Sequence, residues 1–85
     1  LGVQSACDVG MYAQTLMLAM AAHGVGSCAQ GTMRDYPDLV REAFGLSAST
    51  KVLFGISFGF EDSGVLANQA RTDRATLEDI VVFRG

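Results

Sequence analysis

The 85 residues include acids, serines, two cysteines and one histidine, but these residue types form no recognisable motif for acid–base or nucleophilic catalysis. His23 is the only histidine, and no acid or nucleophile forms a motif with it, so it is predicted to cap the end of a helix. Ser57 lies between glycines in an extended segment and not in a nucleophile elbow. Cys28 has no neighbouring base that would activate its thiol, so it is predicted to be a small buried residue rather than a nucleophile. No catalytic side chain is therefore predicted.

Two other segments have residue types that suit an anionic cofactor. In the loop Ser27–Gly31, backbone N–H groups are open to close approach by a flat ligand. In Arg71-Thr-Asp-Arg74, two guanidinium groups suit a phosphate, which arginine binds through parallel hydrogen bonds. Spacing alone favours the simpler interpretation that residues 71–74 form an exposed polar loop. Gly24-Val-Gly26 lacks the remaining spacing of a dinucleotide fingerprint, so a Rossmann site is disfavoured.

The chain is organised around an apolar segment, Asp8–His23, which predicts a helix. Its Met, Leu and Ala residues favour helix formation, Asp8 suits the N-terminal end, and Gly24 suits the C-terminal stop. Apolar residues occur on nearly all sides of this helix, which is typical of burial on most sides. In a chain this short, something outside the chain is expected to provide part of that burial.

The remaining elements follow from local signals. A short extended piece is predicted between Gly24 and Gly31, with a turn on each side. The later segments are predicted as a second helix, a strand, a polar loop, a helical turn and a terminal strand, at Asp35–Phe44, Lys51–Phe60, Glu61–Thr76, Leu77–Ile80 and Ile80–Phe83.

Two details of packing are also predicted. In the second helix, Arg34 and Asp38 are placed to pair, while Arg41 faces water. One face of the strand carries Gly55 and Gly59, which indicates that another element, expected to be the central helix, approaches the strand backbone closely. Because both faces of the strand are apolar, it is predicted to lie inside a sheet, for which the chain has too few other strands.

Composition limits the classes of function. Hydrophobic residues make up 49% and charged residues only 18%, below the ~25% of typical soluble chains, so an obligate oligomer or a piece of a larger protein is expected. A net charge of -3 disfavours nucleic-acid binding. Two cysteines are too few for a disulfide scaffold and indicate reduced thiols in a cytoplasmic protein, with one disulfide left open. The unbroken apolar run Leu16–Ala22 is shorter than the ~20 residues of a membrane span.

Taken together, these stretches resemble the FMN-dependent nitroreductase family. No single stretch is specific, but their order and spacing extend over almost the whole chain. The matching residues are Asp8–Ala19, His23–Cys28, the short loop to Gln30–Gly31, the helix with Tyr36–Pro37, Val52–Phe60, and Asn68 through Leu77. The resemblance covers the C-terminal half of a typical member, and the family's N-terminal Arg/Ser-rich flavin segment has no counterpart here. Because the sequence starts at Leu1 without Met, its N-terminus is expected to result from processing, cleavage or the choice of cloned segment.

The resemblance implies an α+β fold: a nitroreductase-like mixed sheet packed by a buried central helix, with residues 1–85 forming the C-terminal part of a single domain. It also implies an FMN enzyme that takes hydride from NAD(P)H, releases the nicotinamide, and reduces a small-molecule acceptor such as a nitroaromatic or quinone-like compound. The implied assembly is a homodimer with the central helix at its interface and the terminal strand exchanged onto the partner's sheet. A complementary N-terminal segment is expected to complete the domain.

The resemblance assigns cofactor contacts to two groups of residues. The segment Cys28, Ala29, Gln30 and Gly31 corresponds to the one that lies along the isoalloxazine ring and offers a backbone N–H near the reactive nitrogen. Arg74 corresponds to the arginine on the FMN phosphate, with Arg71 and Thr72 nearby. Members commonly have Pro at the position of Cys28. The alternative is a truncated, non-enzymatic module that dimerises through its apolar helix without binding flavin, and the colour of the purified protein distinguishes the two.

Overall fold

The computed structural model describes residues 2–85 as helices and turns around one small sheet. The helices are α1 (Val3–Ala22), α2 (Pro37–Phe44) and the one-turn α3 (Leu77–Ile80), and the strands are β1 (Gly26–Gln30) and β2 (Gly55–Gly59). Two short 3₁₀ turns lie at Gly31–Asp35 and Leu66–Gln69. The predicted order of helix, extended piece, helix, strand and helical turn is confirmed.

Helix α1 is longer at its start than the sequence predicts. It begins at Val3, with Gly2 as the N-cap residue, so the prediction that Asp8 lies at the N-terminal end is wrong. No glycine or proline interrupts residues 3–7, and a helix extends easily once nucleated. Its predicted end is correct: Gly24 adopts a left-handed φ of 77°, and the Val25 N–H donates to the Met20 carbonyl at 2.9 Å, which closes the helix.

The two strands form an antiparallel pair. Cys28 lies opposite Ser57, and Gln30 lies opposite Gly55. Strand β2 is shorter than the predicted Lys51–Phe60 because β1 has only five residues to pair with. The prediction of a strand inside a sheet is also not met in residues 2–85, where β2 has β1 as its one partner. Helix α1 packs against β1.

Helix α2 is tied to the segment before β2 through an arginine. The Arg41 Nε donates to the Thr50 carbonyl at 2.8 Å, and its Nη1 donates to Asp38 Oδ1 at 2.9 Å. The prediction that Asp38 pairs with Arg34 is therefore wrong, and Arg41 is largely covered rather than facing water, with a side chain 18% exposed. The ion pair with Asp38 orients the guanidinium so that its Nε can reach the neighbouring loop.

The close approach predicted at the strand glycines comes from a different neighbour. A Cβ at Gly55 would lie 2.8 Å from Cγ of Met33, in the turn after β1, whereas a Cβ at Gly59 would meet nothing within 4 Å. The expectation that α1 is the neighbour is therefore wrong. Met33 fills this space because β1 and the turn that follows it fold back across the end of β2.

The terminal strand predicted at Ile80–Phe83 does not form. Helix α3 ends at Ile80, Val81 is extended, and residues 81–85 are irregular. An extended segment needs a neighbouring strand to complete its hydrogen bonds, and no strand of residues 2–85 pairs with this one. Val82 and Phe83 are consequently 74% and 79% exposed.

Burial in residues 2–85 is slight. Ala13 alone among them is buried, and Met11, Tyr12 and Leu18 on α1 are each more than half exposed. The central helix is thus not buried by this chain, in line with the expectation that burial comes from elsewhere. No helix in the described part of the chain combines the length and apolar character needed to cross a membrane.

Candidate functional site

One face of the β1–β2 sheet consists of small side chains. Residues opposite each other in an antiparallel pair share a face, and alternate residues along a strand share it too. The register therefore places six residues on this face: Gly26, Cys28 and Gln30 from β1 with Gly59, Ser57 and Gly55 from β2. At Gly26, Cys28, Ser57 and Gly59, the side chain is small or absent, so the backbone lies close to the surface. Such a face suits a flat ligand lying against it.

A groove of about 610 Å³ runs along this sheet and the loop after β2. It brings together residues distant in sequence, and its lining includes Cys28 from β1, Ser57 from β2 and Arg71 from the loop. Its volume lies within the range of small-molecule sites, ~300–1,000 Å³. The groove unites one residue from each of the two predicted cofactor segments.

The predicted loop Ser27–Gly31 is mostly strand. Residues 26–30 pair with β2. In an antiparallel pair, every second residue hydrogen-bonds to the partner strand through its N–H and C=O, so the N–H and C=O groups of the residues between them point to the opposite edge of β1. Those outward N–H groups remain able to donate to a ligand. Gly31 starts the 3₁₀ turn that follows, and a Cβ there would meet nothing within 4 Å.

The β1 side chains point in two directions. Cys28 and Gln30 lie on the small-residue face, whereas Ala29 lies on the opposite face, across from Ile56. Gln30 Nε2 donates to Ser57 Oγ at 3.0 Å, and Ser57 Oγ reaches the Cys28 carbonyl oxygen at 3.5 Å. The prediction that Cys28 is buried is wrong for this chain, because its thiol is free and exposed.

The three candidate residues of the loop fall into two groups. Arg71 lines the groove, and its Nη2 lies 3.6 Å from Glu61 Oε1. Its Nη1 also donates to the Asn68 carbonyl at 2.8 Å. Arg74 donates from Nη1 to Thr72 Oγ1 at 2.8 Å, which joins the other two candidates. Thr72 and Arg74 are not among the groove-lining residues, so the structure groups Arg71 with Cys28, and Thr72 with Arg74.

Sequence reasoning missed two contributors to this site. Ser57 was considered only as a nucleophile, yet it bonds to both Gln30 and Cys28 of β1. Asn68 organises the loop, because its Nδ2 donates to the Asp62 carbonyl at 2.9 Å while its own carbonyl accepts from Arg71. The alternation of residues along β2 predicts that Ser57 shares a face with Gly55 and Gly59, but the pairing with β1 that brings Gln30 and Cys28 to this face cannot be predicted from local sequence.

Comparison with known proteins decides the family. The model of the nitroreductase family matches residues 3–60, which include α1, both strands and the small-residue face. The chain belongs to the nitroreductase family.

Among proteins in this family, the chain is 47% identical over 76 residues to nitroreductase NfnB of Mycolicibacterium smegmatis, a match that covers 89% of the chain and 32% of that protein. It is 32% identical over 76 residues to a 4-nitrobenzoate reductase of Nocardioides sp., with coverage of 89% and 31%. The chain thus spans about a third of the length of these curated nitroreductase relatives.

Solved nitroreductase structures share the fold. The crystal structure of the FMN-dependent nitroreductase NfnB from Mycobacterium smegmatis in complex with NADPH superposes with a TM-score of 0.95 at 44% identity, covering all of this chain and 38% of that one. The FMN- and NADPH-dependent NfnB from Sphigopyxis sp. gives 0.92 at 28% identity, covering 100% and 38%. The predicted α+β nitroreductase fold is confirmed.

Proposed function

We propose that this chain is the C-terminal part of an FMN-dependent oxidoreductase that takes hydride from NAD(P)H and reduces nitroaromatic, quinone-like or related acceptors. The observation that carries the proposal is the groove between the end of the sheet at Gly26 and Gly59 and the loop that contains Arg71. It joins the two segments assigned to the cofactor on the sequence. The relatives supply the chemical class, since the similar solved proteins are FMN-dependent nitroreductases, one of them in complex with NADPH.

The residues present fit a flavin mononucleotide. The ring of FMN accepts hydride and passes electrons on, so the protein needs to supply position and electrostatics rather than an acid–base pair. Outward backbone N–H groups of residues 28–31 would hold the ring by donating hydrogen bonds to it. Gly31 leaves the approach open because it has no side chain, and a Cβ there would meet nothing in the chain.

The phosphate is assigned to Arg74, with Thr72 and Arg71 beside it. Thr72 Oγ1 accepts from Arg74 Nη1 at 2.8 Å, which holds the guanidinium within its loop and leaves Nη2 and Nε as donors. A guanidinium can bind two phosphate oxygens through parallel hydrogen bonds. Arg74 therefore anchors one end of the cofactor while β1 lies along the other.

We further propose that the working assembly is a homodimer completed by an N-terminal segment. Helix α1 carries Met11, Tyr12 and Leu18 exposed, and a second, apolar groove of about 450 Å³ lies open between α1, α2 and the segment before β2, with Val9, Val40 and Phe54 in its lining. Covering these apolar surfaces stabilises the fold. Residues 81–83 then gain a strand partner on the second protomer's sheet.

The test is the absorption spectrum of the assembled protein, purified without added flavin and again after incubation with FMN. We expect a yellow protein that oxidises NADPH in the presence of 4-nitrobenzoate. A protein that stays colourless after incubation with FMN yet forms a dimer would instead support a non-enzymatic module that associates through α1.

A further inference from the structure

The Ser57 hydroxyl joins β2 to two residues of β1. Its Oγ accepts from Gln30 Nε2 at 3.0 Å and lies 3.5 Å from the Cys28 carbonyl oxygen. A serine hydroxyl has one proton to donate, so when that proton points to Cys28, a lone pair faces the Gln30 amide. The two bonds therefore run in one direction, from Gln30 through Ser57 to Cys28.

The position of Met33 explains why Gln30 reaches Ser57. Gly55 lies opposite Gln30 and has no side chain to contact it. The space above Gly55 is filled by Met33, whose Cγ is 2.8 Å from where a Cβ would be. The Gln30 amide therefore extends along the sheet to the next residue on that face, Ser57.

We propose that Ser57 is a positioning residue for the flavin: it holds the C-terminal end of β1 so that the backbone of Cys28–Gly31 keeps its place along the ring. This inference rests on the proposed function and concerns Ser57, which lies outside the predicted site residues. Strand β1 is only five residues long and ends at Gln30, directly before Gly31. The ends of short strands open easily, and the Ser57 bonds oppose that opening at the residues that face the cofactor.

The experiment measures the FMN dissociation constant of the assembled protein by fluorescence titration for Ser57→Ala, Gln30→Ala and the double variant. Ser57→Ala is expected to weaken FMN binding about three- to tenfold, the effect of one neutral hydrogen bond, because only the bond from Gln30 is short, at 3.0 Å, while the contact with the Cys28 carbonyl oxygen is long, at 3.5 Å. Gln30→Ala is expected to produce a similar loss, and the double variant no further loss, because both substitutions remove the same bond. Ser57→Thr, which keeps the hydroxyl, is expected to recover most of the affinity.

Two controls separate positioning from general stability. Ser63→Ala changes a serine in the loop after β2 and is expected to leave the FMN dissociation constant unchanged. The thermal midpoint of the flavin-free protein is expected to fall only slightly in Ser57→Ala, because one exposed hydrogen bond is lost, and FMN affinities are compared at a temperature at which both proteins are fully folded. Ser57→Cys, which keeps the volume with a weak hydrogen-bonding group, is expected to resemble Ser57→Ala.

Unchanged affinity in Ser57→Ala, or losses that simply add in the double variant, would overturn the inference while leaving FMN binding intact. Failure of the unaltered protein to bind FMN would overturn the proposed function together with it.

Discussion

Arg71 and Arg74 lie in one loop but have different surroundings. Arg71 has Glu61 3.6 Å away as an ionic partner, whereas neither of the two ion pairs in residues 2–85 involves Arg74. Arg74 instead donates to Thr72 Oγ1 and to the Thr72 and Asp73 carbonyls. Since these acceptors are uncharged, the positive charge of Arg74 stays available to an anion, which makes Arg74 the stronger phosphate candidate.

Replacing Arg74 with Ala is expected to weaken FMN binding about 10- to 150-fold. A charge-assisted hydrogen bond contributes about 1.5–3 kcal/mol, and each 1.4 kcal/mol is about a factor of ten in affinity. Arg74→Lys is expected to recover only part of the loss, because an ammonium group cannot form the two-pronged contact. Fluorescence titration of FMN into the assembled protein measures each value.

Arg84 provides the matched control for Arg74. It lies in the irregular residues 81–85, beyond the loop assigned to the phosphate. Arg84→Ala is expected to leave FMN affinity nearly unchanged. Equal losses for Arg74→Ala and Arg84→Ala would remove the assignment of the phosphate to Arg74.

Gly31→Val is expected to reduce FMN binding more than Gln30→Ala does. A Cβ at Gly31 would meet nothing within 4 Å in the chain itself, so we expect the substitution to act mainly on whatever approaches this backbone. Gln30→Ala removes a side chain but leaves the backbone N–H groups in place. Flavin content of the two purified variants compares them directly, and equal flavin loss would contradict backbone recognition by this segment.

At the level of elements, the ends of helices can be predicted from local sequence, whereas the pairing of strands cannot. The ends of α1 and α2 are predicted correctly, because each helix is followed by a glycine, Gly24 or Gly45, that tolerates a left-handed φ, here 77° and 64°. The pairing of β1 with β2 depends on residues far apart in sequence, so the extended piece was predicted but its partner was not. The cofactor segments came from resemblance, and the contribution of Ser57 became visible only through this pairing.

The contact between Met33 and Gly55 predicts that alanine substitutions at the two β2 glycines destabilise the protein by different amounts. Gly55→Ala is expected to lower the free energy of unfolding by about 1 kcal/mol, the lower end of overpacking costs, because Met33 is 38% exposed and can move aside. Gly59→Ala is expected to cost less, since its Cβ would meet nothing within 4 Å. Urea denaturation of the assembled protein gives both values.

Met33→Ala is the internal check on this explanation. It removes the side chain that an alanine at position 55 would meet, so the difference between Gly55→Ala and Gly59→Ala is expected to disappear in that background. A difference that persists without the Met33 side chain would mean that another contact constrains Gly55.

At the level of the whole molecule, the chain exposes more surface than a compact protein of its size. Its accessible area is 7323 Å², against about 4,900 Å² for a folded monomer of the same mass. Its radius of gyration is 16.5 Å, against about 12 Å for a compact domain of this length. The excess area, about 2,400 Å², is comparable with what one obligate interface buries, which agrees with the over-apolar composition.

We therefore expect that the 85-residue chain is not self-sufficient. Expressed alone, it should associate with copies of itself or require a complementary segment, because exposed apolar side chains such as Leu18 and Phe83 are stabilised by burial. Light scattering at micromolar concentration measures the mass in solution. A well-behaved monomer under those conditions would contradict the proposed assembly.

The pairing of β1 with β2 also has a consequence for synthesis on the ribosome. Gln30 pairs with Gly55, so the edge of β1 that faces β2 leaves the ribosome unpaired and stays so until the intervening helix and loop have been made. At ~5–20 residues per second, that delay is roughly one to five seconds, far longer than the ~1–10 μs in which a hairpin forms. During this interval the nascent chain exposes the apolar residues of α1 beside an unpaired strand, and we expect it to be most prone to aggregation then.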